Sequence, residues 1–175
     1  MIRVEMSLPE DLQRLYASAM QCRTCFGPSS NLTRPIIDLP QPRLVGSRYF
    51  STSPRLLVVM LNPGAGTDTH VRDNRRSVEL LRQFKDGQAT LQQVFELQRS
   101  QMSAWGKTPG RFVTFYTRAT GKALDQLAFA NLALCATGKN QYPSWMLREC
   151  FKSHTRAIFS ILGPDFVLLS GSNTH

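Results

Sequence analysis

No stretch of this chain is apolar for anything near the ~20 residues that a membrane-spanning helix needs. The opening residues, Met1-Ile2-Arg3-Val4-Glu5, lack the continuous hydrophobic core of a secretion signal. Together these absences lead us to expect a cytoplasmic protein with no membrane partner. There is no internal repeat and no low-complexity tract, which excludes a solenoid and a disordered scaffold. Acidic residues are scarce, 12 against 21 lysines and arginines, leaving a net charge of +9. That excess suits a polyanionic partner. Because the basic residues are scattered rather than blocked, it points to a basic face on a folded domain. Cysteine is scarce as well. With no secretory signal, the four present read as metal-binding or catalytic rather than disulfide-bonded.

What is present is enough for a packed core. At 175 residues, 42% hydrophobic and 19% charged, residues 1–175 are expected to form one domain. Ser7-Leu8-Pro9-Glu10 has the capping-box pattern, and Leu8, Leu12, Leu15, Tyr16 and Ala19 continue at helical spacing, so a first helix should run to about Gln21. Residues 26 to 54 carry prolines 28, 35, 40, 42 and 54 and read as an extended wrapping segment, with short edge strands at Ile36-Ile37 and Arg48-Tyr49-Phe50. Leu56-Leu57-Val58-Val59-Met60-Leu61 is a strand buried on both faces, ended by Asn62-Pro63-Gly64-Ala65-Gly66. Helices are expected over 75–86 and 89–103, broken by Gly87, and another from Tyr116 to Gln126. Leu127 to Cys135 reads as a second apolar strand with Asn131 embedded in it. Ser144 can cap a helix whose apolar face includes Met146, Leu147, Cys150, Phe151, His154 and Ile158. Gly163-Pro164 ends that helix, and Phe166-Val167-Leu168-Leu169 is expected as a third buried strand. Strands alternating with helices predict an α/β fold, a three-layer αβα arrangement with a central, mostly parallel sheet.

Two features carry chemistry. In an open parallel sheet ligands sit at the carboxyl ends of strands, which is where Asn62 would be displayed; an ordinary strand-to-loop turn is the other reading. Cys22-Arg23-Thr24-Cys25 places a Cys-x-x-Cys pair at a helix end, and Cys135 and Cys150 follow at a strand end and on a helix face. Four thiolates suit a tetrahedral zinc ion or an iron–sulfur cluster, and spacing does not separate these. Unrelated core cysteines are the third reading.

The order of these pieces resembles the uracil-DNA glycosylase superfamily. The matching stretches are Cys22-Arg23-Thr24-Cys25, Met60-Leu61-Asn62-Pro63-Gly64, Asn131-Leu132-Ala133-Leu134-Cys135, Pro143, Cys150 and Leu168-Leu169-Ser170-Gly171. The cysteine pattern is similar to the cluster-bearing branch, which implies a [4Fe-4S] cofactor on Cys22, Cys25, Cys135 and Cys150. Asn62-Pro63-Gly64 is instead similar to the mismatch-specific and single-strand-selective branches, where the asparagine positions the hydrolytic water. The resemblance implies a monomeric hydrolase for DNA repair by base excision, which flips out a uracil or another modified or damaged pyrimidine and cuts its N-glycosidic bond. Asn131 would read the edge of the flipped base, since its amide offers both an acceptor and a donor; a sheet-end asparagine bonded to neighbouring backbone is the structural alternative. Phe112 would stack on the base, with Phe115 as its alternative and a plain core role open to either. Gly64, Ala65 and Gly66 would contact base or phosphate through backbone amides.

The chain departs from the family pattern in two places. Residues 68–109 form a long helical insertion, which could bring Arg72, Arg75, Arg76 and Arg82 to DNA beside Lys139, or be a solvated hairpin. Relatives also continue into a helix, a strand and a His-Pro loop that contacts the leaving base; the 175 residues contain no counterpart, and His175 is not assigned that role. Two alternatives follow: a glycosylase for hypermodified bases in phage DNA, and a catalytically silent nucleic-acid-binding module on the same fold. His70 and His154 receive no site.

Overall fold

The computed structural model describes residues 8–27, 30–63, 71–105 and 112–170. Ser7, Gly64, Ala65, Gly66, His70 and His175 lie outside the described residues, as do the side chains of Arg72 and Phe112. The fold is α/β. Three parallel strands, β1 (Leu56–Met60), β2 (Leu127–Asn131) and β3 (Phe166–Ser170), form a sheet in the order β2-β1-β3. The register pairs Leu56 with Leu127 and Phe166 at one end, and Met60 with Asn131 and Ser170 at the other. Leu57, Val58, Val59 and all of β2 are buried, so both faces of the two strands are covered, as continuous Val/Leu/Ala runs require.

The helices are α1 (Glu10–Ala19), α2 (Val71–Lys85), α3 (Leu91–Trp105), α4 (Phe112–Thr120), α5 (Ser144–Cys150) and α6 (Arg156–Leu162). A π-helical turn, Phe151–Thr155, joins the last two. α1 buries Leu12, Tyr16 and Ala19 and packs on α6 and the π turn. Its Tyr16 meets Phe95 of α3 edge to face, with ring centroids 6.4 Å apart. α2 packs on α3 and α3 on α4, and Tyr116 of α4 lies edge-on to Phe129 of β2.

Several boundaries differ from expectation, each for a local reason. Pro9 occupies the cap position of α1 with no side-chain cap, and Glu10 and Asp11 place negative charge in the first turn. Pro143 likewise precedes α5, so Ser144 is its first helical residue rather than its cap. α3 does have a reciprocal capping box: Thr90 N donates to Gln93 Oε1 at 2.7 Å, and Gln93 N donates to Thr90 Oγ1 at 3.3 Å. α4 starts at Phe112 and stops at Thr120, because Gly121 takes a positive φ of 66°. Residues 124–126 then form a separate 3-10 turn.

The second strand ends at Asn131, four residues before Cys135. Leu132 N and Ala133 N still bond to the carbonyls of Met60 and Leu61, at 2.8 and 3.0 Å, while the chain bends away. The expected burial of the third strand is wrong. Phe166, Val167 and Leu169 are 60%, 43% and 47% exposed, and no described residue pairs with the outer edge of β3.

The opposite edge of the sheet is closed. The wrapping segment runs antiparallel along β2: Gly46 N bonds to Leu127 O, Phe129 N to Leu44 O, and Gln41 N to Leu134 O, all at 2.8–2.9 Å. The pairing centres on Val45 and Ala128. Neither expected edge strand forms, and Tyr49–Ser51 is a 3-10 turn.

Candidate functional site

The parallel register brings two expected site residues together. Met60 pairs with Asn131, so Asn62, two residues further on, stands at the same carboxyl end of the sheet. The half-buried Asn62 uses its Nδ2 twice, donating to Pro63 O at 2.8 Å and to Asn140 Oδ1 at 3.3 Å. Asn140 reaches this position because it adopts φ 53°, in the left-handed region that asparagine tolerates. The hydroxyl of Tyr142 accepts a bond from Thr137 N at 3.2 Å and lies beside Asn62. Burial raises the Tyr142 pKa, and hydrogen bonding with Thr137 and Asn62 offsets part of that rise. Asn140 and Tyr142, which lie between Cys135 and Pro143, were not singled out in the sequence.

Asn131 is fully buried. Its amide is satisfied when Oδ1 accepts from Arg43 Nε at 3.0 Å and Nδ2 donates to Ala130 O at 3.3 Å. The same oxygen lies 3.1 Å from the nitrogen of Pro63. A proline nitrogen carries no proton, so this is a contact between Asn131 and the Asn62 loop rather than a bond. The amide is thus held by protein groups, in the manner of the structural alternative. Thr155 fixes the same strand end, its hydroxyl lying 3.2 Å from Asn131 O and 3.1 Å from Leu132 O.

The cysteines meet on the other side of Thr155. Cys22, Cys25, Cys135 and Cys150 line one cavity with His154, and its free space is about that of one water molecule. Three separate segments deliver them: the end of α1 with its following turn, the bend after β2, and α5. The π turn places His154 and Thr155 as consecutive residues, one facing the cysteines and one the strand end, a use to which such turns are often put.

The four thiols are not equivalent. Burial pushes Cys25 up to about 12, with Cys150 and Cys22 adding to the effect. Burial also raises Cys135 and Cys150. Cys22 moves the other way, to about 6, chiefly through hydrogen bonding with His154. Leu134 N donates to Cys150 Sγ at 3.2 Å, and Nε2 of His154 is buried with no partner. No three such donors among the described residues stand close enough to hold a single ion. Four thiols on three segments around one cavity, one already accepting a backbone bond, are nonetheless donors of the kind that a thiolate-bound centre uses. Bound metal would supply the positive charge needed to ionise three thiols that burial keeps protonated.

The basic residues are more dispersed. Arg75 and Arg76 are exposed on α2, and Lys139 is exposed beside Asn140. Arg76 lines a groove between α2 and α3 that also holds Glu79 and Glu96, so that groove is not purely basic. Phe115 is 61% exposed and meets Tyr116 edge-on at 5.1 Å. No helix among the described residues is long and apolar enough to cross a membrane. No family model matches the chain, and no curated protein matches its sequence.

Proposed function

We propose that the chain is a DNA glycosylase that takes a uracil or another modified pyrimidine out of the stack and hydrolyses its N-glycosidic bond. The observation that carries this reading is the state of Asn62. Its amide protons are directed to Pro63 O and Asn140 Oδ1, and its carbonyl oxygen, which has two lone pairs, can accept from a water at the carboxyl end of β1 even while it lies beside the Tyr142 hydroxyl.

An amide does not titrate near neutral pH, so Asn62 acts by orienting that water towards the sugar carbon and not by removing its proton. The oxygen–C1′ bond forms as the C1′–N1 bond breaks, the electron pair leaves with the base, and the proton that the water loses passes through solvent to the base anion. Cys22, Cys25, Cys135 and Cys150 would hold the iron–sulfur cluster. When bound, the cluster cross-links the end of α1, the bend after β2 and α5, and carries out no step.

The test is base release from oligonucleotides bearing uracil, other damaged pyrimidines or hypermodified cytosines, single- and double-stranded. The expected result is abasic sites with at least one substrate, and a loss of about a hundredfold in rate for Asn62→Ala. The second reading, a silent nucleic-acid-binding module, is favoured by the complete burial of Asn131. It wins if no substrate yields abasic sites while salt-sensitive DNA binding persists.

A further inference from the structure

Arg43 is a cation with no anionic partner among the described residues. It lies on the wrapping segment, half-buried, three residues before Gly46 binds the segment to β2. No carboxylate among the described residues pairs with it: the ion pairs there are those of Arg14, Arg48, Arg55 and Lys152. Burial lowers its pKa to about 10, and the group facing it is the Tyr16 hydroxyl, which is itself buried and neutral. A guanidinium withdrawn from water without a counter-charge is costly. Folded proteins retain such a group where something else supplies the negative charge.

Its placement indicates what that is. Nε donates to Asn131 Oδ1 at 3.0 Å, and the same oxygen touches the Pro63 loop. The guanidinium therefore stands at the carboxyl ends of β1 and β2, where Asn62 is also displayed. With Nε engaged, the two terminal nitrogens of the planar fork have no bond to a described residue.

We propose that Arg43 is the anion-receiving residue of this site: one arm of its fork orients Asn131, and the other takes an anionic oxygen of the bound nucleotide. This rests on the reading that the strand ends are the nucleotide site. Two oxygens of one nucleotide have the required chemistry. One is a backbone phosphate oxygen. The other is an exocyclic carbonyl oxygen of a departing pyrimidine, which becomes anionic as the C1′–N1 electron pair moves into the base and water bonds to C1′, the water's proton passing to solvent.

The test compares wild type with Arg43→Gln and Arg43→Lys in the full chain. Glutamine can still donate to Asn131 but carries no charge; lysine keeps the charge and loses the fork. Three quantities are read: affinity for an oligonucleotide with a tetrahydrofuran abasic analogue at fixed salt, single-turnover base release, and Tm. If the anion is a phosphate, Arg43→Gln weakens binding of the abasic oligonucleotide by about ten- to a hundredfold, the worth of one charge-assisted hydrogen bond. If it is the departing base, that affinity is unchanged and the single-turnover rate falls by a similar factor.

In both cases the Tm of Arg43→Gln is equal to or above that of wild type, because an uncompensated buried charge has been removed. A lowered Tm with binding and rate otherwise intact makes Arg43 a structural tie and overturns the proposal. So do unchanged binding and rate, and so does a wild type that binds no oligonucleotide. If wild type binds DNA but releases no base, the glycosylase reading falls, while the abasic oligonucleotide still decides the role of Arg43.

Discussion

Gly46→Ala is the substitution that most directly probes how Arg43 is delivered to the strand ends. A Cβ at position 46 would sit 2.3 Å from both the carbonyl carbon and the oxygen of Asp125, and 2.7 Å from its Cα. Carbon atoms in unstrained contact lie about 3.5–4.0 Å apart, so the two backbones would have to separate by more than about 1 Å. Neither can yield easily. Gly46 N is bonded to Leu127 O at 2.9 Å and Arg48 N to Asp125 O at 2.8 Å. Arg48 also grips the Asp125 carboxylate with two nitrogens, at 2.6 and 3.0 Å. The cost falls at the upper end of the overpacking range, about 3 kcal/mol. For a chain of this size that is a fall in Tm of about 6–12 °C.

A thermal melt followed by circular dichroism reads this directly. Gly87→Ala is the control: its φ of 74° imposes strain, but nothing lies within 4 Å of an added Cβ, so about 1–2 kcal/mol is expected. The wrapping segment carries Arg43 as well, so Gly46→Ala should also weaken nucleic-acid binding. A Tm within about 2 °C of wild type would show that the segment is not held against β2 as described.

Further outcomes follow from the two clusters. Thr155→Val leaves the carbonyls of Asn131 and Leu132 without their shared donor, and should cost about 1–3 kcal/mol, whereas Thr155→Ser should retain most of the stability; equal melts for both variants would count against the tie. In metal-free protein Cys22, held near 6 against an ordinary 9.0, should be the thiol alkylated by iodoacetamide at pH 7, with a rate that falls as pH drops through 6. Its folded pKa is depressed, so the stability gained from ionising it is complete above pH 9 and lost as pH falls through 6. In His154→Ala the alkylation profile should move up towards pH 9, and an unmoved profile would refute the His154 contact. Cys135→Ser should reduce bound iron and sulfide and the visible absorption of the purified protein, and a colourless, zinc-loaded wild type would refute the iron–sulfur reading.

The parallel strand–helix alternation could be read from the sequence because it depends on local patterns. Apolar runs rich in valine, leucine and alanine mark strands covered on both faces, and the prolines of residues 26 to 54 mark a segment that cannot enter a ladder throughout. Element ends were harder to read. Proline stands at the cap positions of α1 and α5, and the bend after Asn131 is held by partners distant in sequence, the Thr155 hydroxyl and the carbonyls of Met60 and Leu61. The exposure of β3 was not legible at all: Phe166-Val167-Leu168-Leu169 has the composition of a buried strand, and only its place at the open edge of the sheet leaves it uncovered.

The candidate site divides in the same way. The sequence by itself determined the chemical stock: an asparagine at the end of a buried strand, a second asparagine inside another, and four cysteines, two of them in a Cys-x-x-Cys pair. The tertiary structure alone decided what stands next to what. It set Met60 against Asn131, turned Asn140 into a partner for Asn62, gathered four thiols around His154, and carried Arg43 to Asn131 across a separation of 88 positions, from 43 to 131. Local propensity acts over a turn or two of chain. These neighbours come from strand register and from the path of the wrapping segment, which follow from burying the whole core at once.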